Sequence, residues 1–226
     1  GVWMDWQAQG THISHNVFLN NSRDLFIEVT HGPHLVNHNI FTADYALDNH
    51  AQGGAYVHNL FNGKMALIKQ LNRATPYHAP HSTDVRGYAM VYCGDDRFIG
   101  NLFIGAGIEE VGLSAFNGYT ISLEEYMSAV ENLEPGDLEI FEKVEQPVYI
   151  KKNCYLDGAS AFEEEADFVN LPNFKTNFAV VEEEDGLYLE CDLPDEFEDL
   201  KIEPQTTETL GRVRIVDAEF ETPEGE

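Results

Sequence analysis

The sequence predicts an all-β chain, in which coils of a parallel β-helix precede an antiparallel, sandwich-like β region with one short helix. Three observations support this prediction: a recurring Asn-aliphatic-Phe tripeptide, glycines at matching intervals, and a change of pattern beyond residue 107. The 226 residues are 43% hydrophobic and 12% aromatic, which is ample for a packed core. The chain is therefore long enough to form one large domain or two small ones.

The tripeptide defines the repeat. Its copies are Asn16-Val17-Phe18, Asn39-Ile40-Phe41, Asn59-Leu60-Phe61 and Asn101-Leu102-Phe103. The spacings between asparagines are 23, 20 and 42, and 42 is two periods of 21. A fixed period of this length is typical of stacked units that bury their apolar residues only against the next unit. We expect the asparagines to form an amide ladder at the corners of the coils, with the phenylalanines in the core.

Turn glycines set the register of the strands. Gly10, Gly32 and Gly53 each precede a copy of the tripeptide by six or seven residues. Before these glycines, Trp3-Met4-Asp5 aligns with Phe26-Ile27-Glu28 at an offset of 23, and the segment 24–28 aligns with 44–48 at an offset of 20. Because side chains alternate along a strand, each strand then has an inner and an outer face. The predicted inward residues are Val2, Met4, Trp6, Leu25, Ile27, Val29 and Leu47, and the outward ones are Trp3, Asp5, Phe26, Glu28 and Asp48.

The repeat does not continue through the whole chain. Residues 63–96, rich in proline and histidine, predict an ordered excursion over the coil surface rather than another strand. Ser122-Leu123-Glu124-Glu125 reads as a capping box that opens a helix ending near Asn132. Alternating apolar runs after residue 146 predict antiparallel strands. The predicted regions are therefore coils over 1–107, a connecting segment with the short helix over 108–145, and an acidic antiparallel β region over 146–226.

Charge limits the classes of ligand. The chain has 13 Lys+Arg against 40 Asp+Glu, a formal net charge of −27. Nucleic acid, anionic membrane surfaces and anionic polysaccharides each need a basic patch, and the few basic residues form none. A neutral or cationic ligand is favoured, and a homo-oligomer is left open.

Cysteine usage indicates a reducing compartment. The three cysteines, Cys93, Cys154 and Cys191, are an odd number and far apart, so neither a disulfide framework nor a zinc site is indicated. We expect free thiols, a cytoplasmic location, and no metal or cofactor. No apolar stretch approaches the roughly 20 residues of a membrane span. The chain opens in what reads as a strand, so we interpret it as a fragment whose first residue says nothing about targeting.

Asp5 and Glu28 are the candidate catalytic residues. An offset of one period places them on adjacent coils, about 4.8 Å apart along the axis. Like charges in opposed positions are destabilising, so a functional reason for the pair is expected. Glycoside hydrolysis uses two carboxyl groups, and a separation of about 5–5.5 Å belongs to the retaining mechanism. Spacing alone leaves open that both acids are merely solvated. Asp48 would extend the row to a third coil, either binding sugar hydroxyls or sitting in a surface ladder.

Several motifs together resemble the β-xylosidases of glycoside hydrolase family 120. They are Gly1-Val2-Trp3-Met4-Asp5-Trp6, Gln9-Gly10-Thr11, Asp24-Leu25-Phe26-Ile27-Glu28-Val29, His31-Gly32-Pro33, Gln52-Gly53-Gly54-Ala55-Tyr56-Val57-His58-Asn59-Leu60-Phe61, Thr75-Pro76-Tyr77-His78 and Pro80-His81-Ser82-Thr83. The resemblance implies a right-handed parallel β-helix with an accompanying β-sandwich, and retaining release of xylose from the ends of xylo-oligosaccharides. It further implies that Asp5 is the nucleophile and Glu28 the acid/base. The upstream coils that would complete the sugar pocket are expected outside this chain.

The remaining substrate contacts are expected around this pair. Trp3 and Phe26 would form an apolar wall, and the 75–83 loop would close the pocket. His31, His78 and His81 are the histidine candidates for substrate contact. A second interpretation is a β-helix module that binds neutral glycans without cleaving them, or that serves as an assembly surface. A polysaccharide lyase is less favoured, because it would need basic residues or calcium to bind uronates.

Overall fold

The computed structural model describes residues 1–68, 70–91, 93–105, 148–162 and 165–220. Regular structure in these ranges is almost entirely β, and most of it lies in three parallel sheets. The exceptions are a short 3₁₀ helix at Asp195–Asp199 and a four-residue helix, α1, at Thr207–Leu210. The helix predicted to begin at Ser122 lies outside the described residues. The all-β class is thus confirmed.

Each of the three sheets is built from strands that are far apart in the sequence. The first sheet is β1 (Val2–Met4), β4 (Leu25–Ile27), β7 (Tyr45–Asn49) and β10 (Lys64–Leu67). The second sheet is β15 (Val148–Lys151), β13 (Asp96–Ile99), β8 (Gly54–Val57), β5 (His34–Asn37) and β2 (Thr11–Ser14). The third sheet is β17 (Val169–Leu171), β16 (Cys154–Leu156), β14 (Leu102–Ile104), β9 (Leu60–Asn62), β6 (Ile40–Phe41) and β3 (Val17–Phe18). From β1 to β10 the chain visits the first, second and third sheets in turn, so each circuit adds one strand to each sheet. Of the strands described after β10, β13 and β15 join the second sheet, and β14, β16 and β17 join the third.

The turn glycines have the structural role that the sequence predicted. Gly10, Gly32 and Gly53 have φ angles of +72°, +73° and +74°. At Gly32 a Cβ atom would lie 2.2 Å from the carbonyl oxygen of Gly53. Because neither this backbone conformation nor this approach suits a side chain, glycine fixes the turn into the second sheet.

Two columns of side chains fill the interior corner of the stack. The first is a run of aromatic rings whose neighbouring centroids are 4.8 to 5.3 Å apart: Phe18, Phe41, Phe61, Phe103 and Tyr155. The second is the asparagine ladder. In each step one Oδ1 accepts hydrogen bonds from both the backbone N–H and the Nδ2 of the preceding asparagine, as Asn59 does from Asn39 at 3.0 and 3.1 Å. Both columns confirm the prediction.

The ladder is longer than the tripeptide indicated. Asn101 donates to Asn153 through its backbone N–H at 2.8 Å and through Nδ2 at 3.0 Å. Asn153 in turn donates twice to Oε1 of Glu165, at 3.1 and 2.8 Å. A carboxyl group therefore occupies the place where a sixth amide would stand. The sequence signal for this step was Asn153-Cys154-Tyr155, in which tyrosine replaces the phenylalanine of the tripeptide.

The prediction of antiparallel structure beyond residue 146 is wrong for its first strands. Strands β15, β16 and β17 pair parallel with their neighbours and continue the second and third sheets. Alternating apolar residues indicate a strand but not the direction of its partner, which explains the error. Further along, β18 (Ala179–Glu183) and β19 (Gly186–Glu190) are antiparallel as predicted, and so are β20 (Arg212–Val213) and β21 (Ala218–Glu219).

The segment 63–96 contains more strand than predicted. Its first part is β10, which pairs parallel with β7, and its last residue begins β13. Between them, β11 (Gln70–His78) and β12 (Val85–Val91) form an antiparallel hairpin outside the three parallel sheets. Pro76 lies within β11, where a two-stranded hairpin leaves alternate N–H groups unpaired, so its missing donor is tolerated.

Face alternation was correct inside the strands and wrong at their ends. Met4, Leu25, Ile27, Val29 and Leu47 are buried as expected. Val2 is 40% exposed, because β1 is the edge strand of the first sheet. Trp6 was expected in the core and is 50% exposed, because the strand ends at Met4 and alternation no longer applies.

A segment near the end of the described chain covers the outer face of the second sheet. Leu210, Val213 and Phe220 pack on Val57 and Ile99 in a second apolar cluster. The buried Arg97 secures this segment by donating to the carbonyl oxygens of Leu210 and Arg212 at 2.9 and 2.7 Å. In the described ranges no helix is long and apolar enough to cross a membrane, and the three cysteines are free thiols.

Candidate active site

Asp5 and Glu28 follow adjacent strands at the same level. Strands β1 and β4 pair Trp3 with Phe26 and Met4 with Ile27, which confirms the predicted offset of 23 residues. The backbone N–H of Glu28 then donates to the carbonyl oxygen of Met4 at 2.8 Å, which extends the pairing by one residue. Asp5 is exposed and Glu28 is half-buried. The backbones of Asp5 and Glu28 thus lie side by side at the edge of the first sheet, one strand spacing apart, which is about 4.8 Å.

Each carboxyl group is held by a local hydrogen bond. The indole N–H of Trp3 donates to Oε2 of Glu28 at 3.1 Å, and the backbone N–H of Trp6 donates to Oδ1 of Asp5 at 2.7 Å. Trp3 also stacks on Phe26, with ring centroids 5.6 Å apart and planes 25° apart. The first donor therefore comes from a ring that packing orients, and the second from the turn that follows β1.

The predicted alignment of Asp48 with Glu28 is wrong. Strand β4 pairs with β7 so that Phe26 lies opposite Asp48 and Ile27 opposite Asn49. The offset between these strands is 22 residues rather than the expected 20, because Leu25 pairs with Leu47, two residues further along the chain than the match of 24–28 with 44–48 predicted. Asp48 is only 5% exposed, and its carboxylate lies 3.0 Å from the Arg23 guanidinium and 2.9 Å from Nε2 of His50. It shares the outer face with Phe26, as predicted, but it is a covered, paired carboxylate and does not lie level with Glu28.

His50 occupies the position that Asp48 was expected to fill. Its backbone N–H donates to the carbonyl oxygen of Ile27 at 2.8 Å, which places it beside Glu28. The ring meets the Phe26 ring edge-on at 5.0 Å. The sequence search missed His50 because a regular period of 20 aligned the wrong residue with Glu28. The spacing of 22 between Leu25 and Leu47 would have revealed it.

His31 serves to anchor the hairpin and is not exposed to a ligand. It is 1% exposed, Nε2 bonds the carbonyl oxygen of Thr75 at 3.0 Å, and Nδ1 bonds Gln52 at 2.9 Å. Burial lowers the pKa of His31 to about 4, so it is neutral near pH 7. The predicted contact between His31 and substrate stays a prediction, and the structure places the residue in the interior.

His78 and His81 line a cavity on the neighbouring face. The cavity measures about 540 Å³ and lies between the turn after β1, the 78–83 hairpin loop and the segment 218–220. His78 bonds Gln7 through Nε2 at 3.2 Å and the carbonyl oxygen of Thr83 through Nδ1 at 3.0 Å, while Gln9 bonds both the backbone N–H and the carbonyl oxygen of His78. The hairpin loop is thus tied to the turn that carries Asp5, but none of the row Asp5, Glu28 and His50 lines this cavity.

The described residues form no metal centre. No group of three or more His, Cys, Asp or Glu side chains in these ranges could hold a metal ion. The chemistry that the row can perform with its own side chains is proton transfer and nucleophilic attack by carboxylates.

A comparison with solved structures finds a protein that is similar to this chain along its whole length. No protein-family model and no curated protein matches the chain. A solved structure described as the complex structure of XylC with xylose matches it with a TM-score of 0.86 and 53% sequence identity. XylC is a β-xylosidase of glycoside hydrolase family 120. Over its whole length this chain is therefore similar to a part of a family 120 enzyme. The family 120 match covers 100% of this chain and 35% of the XylC chain, so the chain spans about a third of the length of its relative.

Proposed function

We propose that this chain carries the two catalytic carboxyl groups of a retaining β-xylosidase. The substrate is a neutral xylo-oligosaccharide, from whose non-reducing end xylose is released. The observation that supports this is the side-by-side placement of Asp5 and Glu28, within a chain that is 53% identical to a protein solved with xylose. Neighbouring strands are about 4.8 Å apart, close to the roughly 5–5.5 Å between carboxyl groups in retaining glycosidases.

In the first step the Asp5 carboxylate attacks the anomeric carbon of the terminal xylosyl unit. The glycosidic carbon–oxygen bond breaks as Glu28, in its acid form, gives its proton to the leaving oxygen. The products are a xylosyl ester on Asp5 and a shortened oligosaccharide. The Trp6 N–H holds one oxygen of Asp5, and the Trp3 indole holds one oxygen of Glu28, so both carboxyl groups are oriented before the substrate arrives.

In the second step water replaces the enzyme at the anomeric carbon. The Glu28 carboxylate takes a proton from the water, whose oxygen attacks the anomeric carbon and releases Asp5 as a carboxylate. Two inversions at one carbon restore the original configuration. Glu28 is thereby returned to its acid form for the next cycle.

The substrate face is built from the residues around this pair. Trp3 is 62% exposed and offers a ring face to a sugar, with Phe26 packed behind it. Trp6, at 50% exposure, provides a second aromatic surface beside Asp5. His81, exposed on the hairpin loop, and the half-buried His78 supply polar groups for a longer substrate. The formal charge of −27 favours a neutral oligosaccharide over one that bears uronates.

The proposed architecture is a right-handed parallel β-helix formed by the three sheets. The cyclic order of strands and the parallel pairing between successive circuits support this proposal. The strands that continue to residue 171 extend the proposed helix well beyond residue 107. The antiparallel pairs that follow would then form a separate region.

Following hydrolysis of xylobiose by proton NMR tests the proposed function in the whole protein. The expected result is that β-xylose appears first and then equilibrates with the α anomer. Early α-xylose would indicate inversion and contradict the assigned roles. Binding of xylobiose without hydrolysis would instead favour the glycan-binding module, an alternative that the likeness to XylC does not favour.

A further inference from the structure

A charged cluster lies directly beside the acid row. Arg23 Nη2 is 3.0 Å from Asp48 Oδ2, and His50 Nε2 is 2.9 Å from Asp48 Oδ1. The Asp48 side chain is 7% exposed, whereas that of Arg23 is 45% exposed. Gln70 Nε2 lies 2.8 Å from His50 Nδ1. Because an amide nitrogen only donates, Nδ1 accepts and the ring hydrogen resides on Nε2, where it is donated to Asp48. Both oxygens of Asp48 are therefore bonded.

The same cluster holds the ring on which Trp3 stacks. The Arg23 guanidinium lies 4.9 Å from the centroid of the Phe26 ring, and His50 meets the edge of that ring at 5.0 Å. Phe26 is thus packed by Arg23, His50 and Trp3. Since the Trp3 indole donates to Glu28, a change in Asp48 would reach Glu28 through these rings.

Charge gives Asp48 a second effect. The groups that face Phe26 and Glu28 from the neighbouring strands and the preceding turn are Asp5, Arg23, Asp48 and His50, while Lys64 lies opposite Tyr45 at the start of β10. A cation near a carboxyl group favours its ionised form. The first step needs a proton on Glu28, so an uncompensated Arg23 would work against it.

We propose that Asp48 is a positioning residue for the reaction. It neutralises Arg23 beside the acid row and, together with His50, holds the Phe26–Trp3 stack whose indole N–H orients Glu28. This inference rests on the proposed function, since it concerns the protonation and orientation of the proposed acid. This role of the buried Asp48 differs from the two that the sequence predicted, which were sugar binding and a place in a surface ladder.

Charge-swapping variants of the whole protein test the inference through the pH dependence of kcat/KM on an aryl xyloside. The alkaline limb of this profile is the fall in kcat/KM at high pH, where Glu28 loses the proton that the first step needs. In Asp48→Asn the unpaired Arg23 favours ionised Glu28, so the alkaline limb moves to lower pH by about 0.5 to 1 unit. In Arg23→Gln the bare Asp48 carboxylate favours protonated Glu28, and the limb moves to higher pH. The double variant lacks both charges, so its limb returns to the wild-type position.

The matched control is Asp157→Asn, which breaks the ion pair with Lys175 at another part of the chain and should leave the limb in place. Shifts of the same sign in both single variants, or no shift in either, would overturn the inference, because a merely structural role would not move the limb in opposite directions. If Asp48→Asn does not fold, Arg23→Gln decides alone, since the Arg23 side chain is half-exposed. An unmoved limb there overturns the inference.

Failure of the proposed function is recognised separately. Absence of hydrolysis by the wild-type protein, or an alkaline limb that persists in Glu28→Ala, would overturn the assignment of Glu28 and this inference with it. A limb that disappears in Glu28→Ala but does not respond to Asp48→Asn and Arg23→Gln would overturn only the role of Asp48.

Discussion

Two columns of side chains cross the same stack of strands, and they differ in every respect. The asparagine ladder is buried from Asn39 to Asn153, repeats one residue type, and matches donors to acceptors at each step. The acid row of Asp5, Glu28 and His50 is partly exposed, changes residue type at every strand, and places two carboxyl groups side by side. The repeated asparagines accept hydrogen bonds from backbone N–H groups and so hold neighbouring coils together. The row whose residue type changes from strand to strand is the one for which we propose catalysis.

The largest expected effect comes from removing Asp5, the proposed nucleophile. Asp5→Ala should lower kcat on an aryl xyloside by roughly 10⁴-fold or more, because the proposed xylosyl ester forms on the carboxylate that this change removes. Its midpoint of unfolding in urea should stay close to that of the wild type, since Asp5 is exposed and the change removes one exposed hydrogen bond from the Trp6 N–H. Asp199→Ala, an exposed acidic residue in the 3₁₀ helix, is the control and should keep full activity. An active Asp5→Ala would contradict the assignment.

The second member of the row should respond differently. Glu28→Ala should lose roughly 10²- to 10⁴-fold on xylobiose, whose leaving group needs a proton, and far less on a dinitrophenyl xyloside, whose leaving group does not. Azide should accelerate the variant and yield β-xylosyl azide, because it attacks the ester without needing a base. Equal losses on both substrates, without rescue by azide, would show that Glu28 is not the acid/base.

The ladder should show the reverse pattern, with stability lost and activity retained. Asn59→Ala leaves the buried N–H and Nδ2 donors of Asn39 without their acceptor, which costs about 3 kcal/mol of unfolding free energy. Asn16→Ala, at the exposed end, removes only the Nδ2 donor and keeps the backbone N–H that bonds Asn39, so it should cost less than about 1 kcal/mol. Urea unfolding measures both values. A larger loss of unfolding free energy in Asn16→Ala than in Asn59→Ala would contradict this account. So would a folded Asn59→Ala variant with an altered kcat, because the ladder would then affect activity as well as stability.

Glu165 is an acid within the ladder, and it should produce the smallest effect. Burial raises the pKa of Glu165 above its usual 4.5, although Asn153 and Tyr155 both donate to it. The folded chain therefore binds this proton more tightly than the unfolded chain, so stability falls as the pH rises from about 4.5 through the folded-state pKa. Glu165→Gln should flatten this dependence and stabilise the protein at pH 7. A steeper pH dependence in the variant would contradict this account.

The sequence predicted the ladder, the aromatic column and the Asp5–Glu28 offset because these depend on a local period and on alternation within a strand. It did not predict the position of Asp48, since two extra residues between β4 and β7 shift the register, and a shift is visible only once the strands pair. Trp6 was misplaced because strand ends cannot be read from alternation. The parallel pairing of Val148–Lys151 was missed because it depends on a partner some 50 residues earlier in the chain, which a local pattern does not reveal.

The most direct test of the central claim is to trap the intermediate. A 2-deoxy-2-fluoro-xyloside with a dinitrophenyl leaving group should label the protein, because the fluorine slows hydrolysis of the ester more than its formation. Peptide mapping by mass spectrometry should then find one fluoroxylosyl group on Asp5. A label on Glu28, or release of dinitrophenol without any label in a protein that turns over the unsubstituted substrate, would contradict the account.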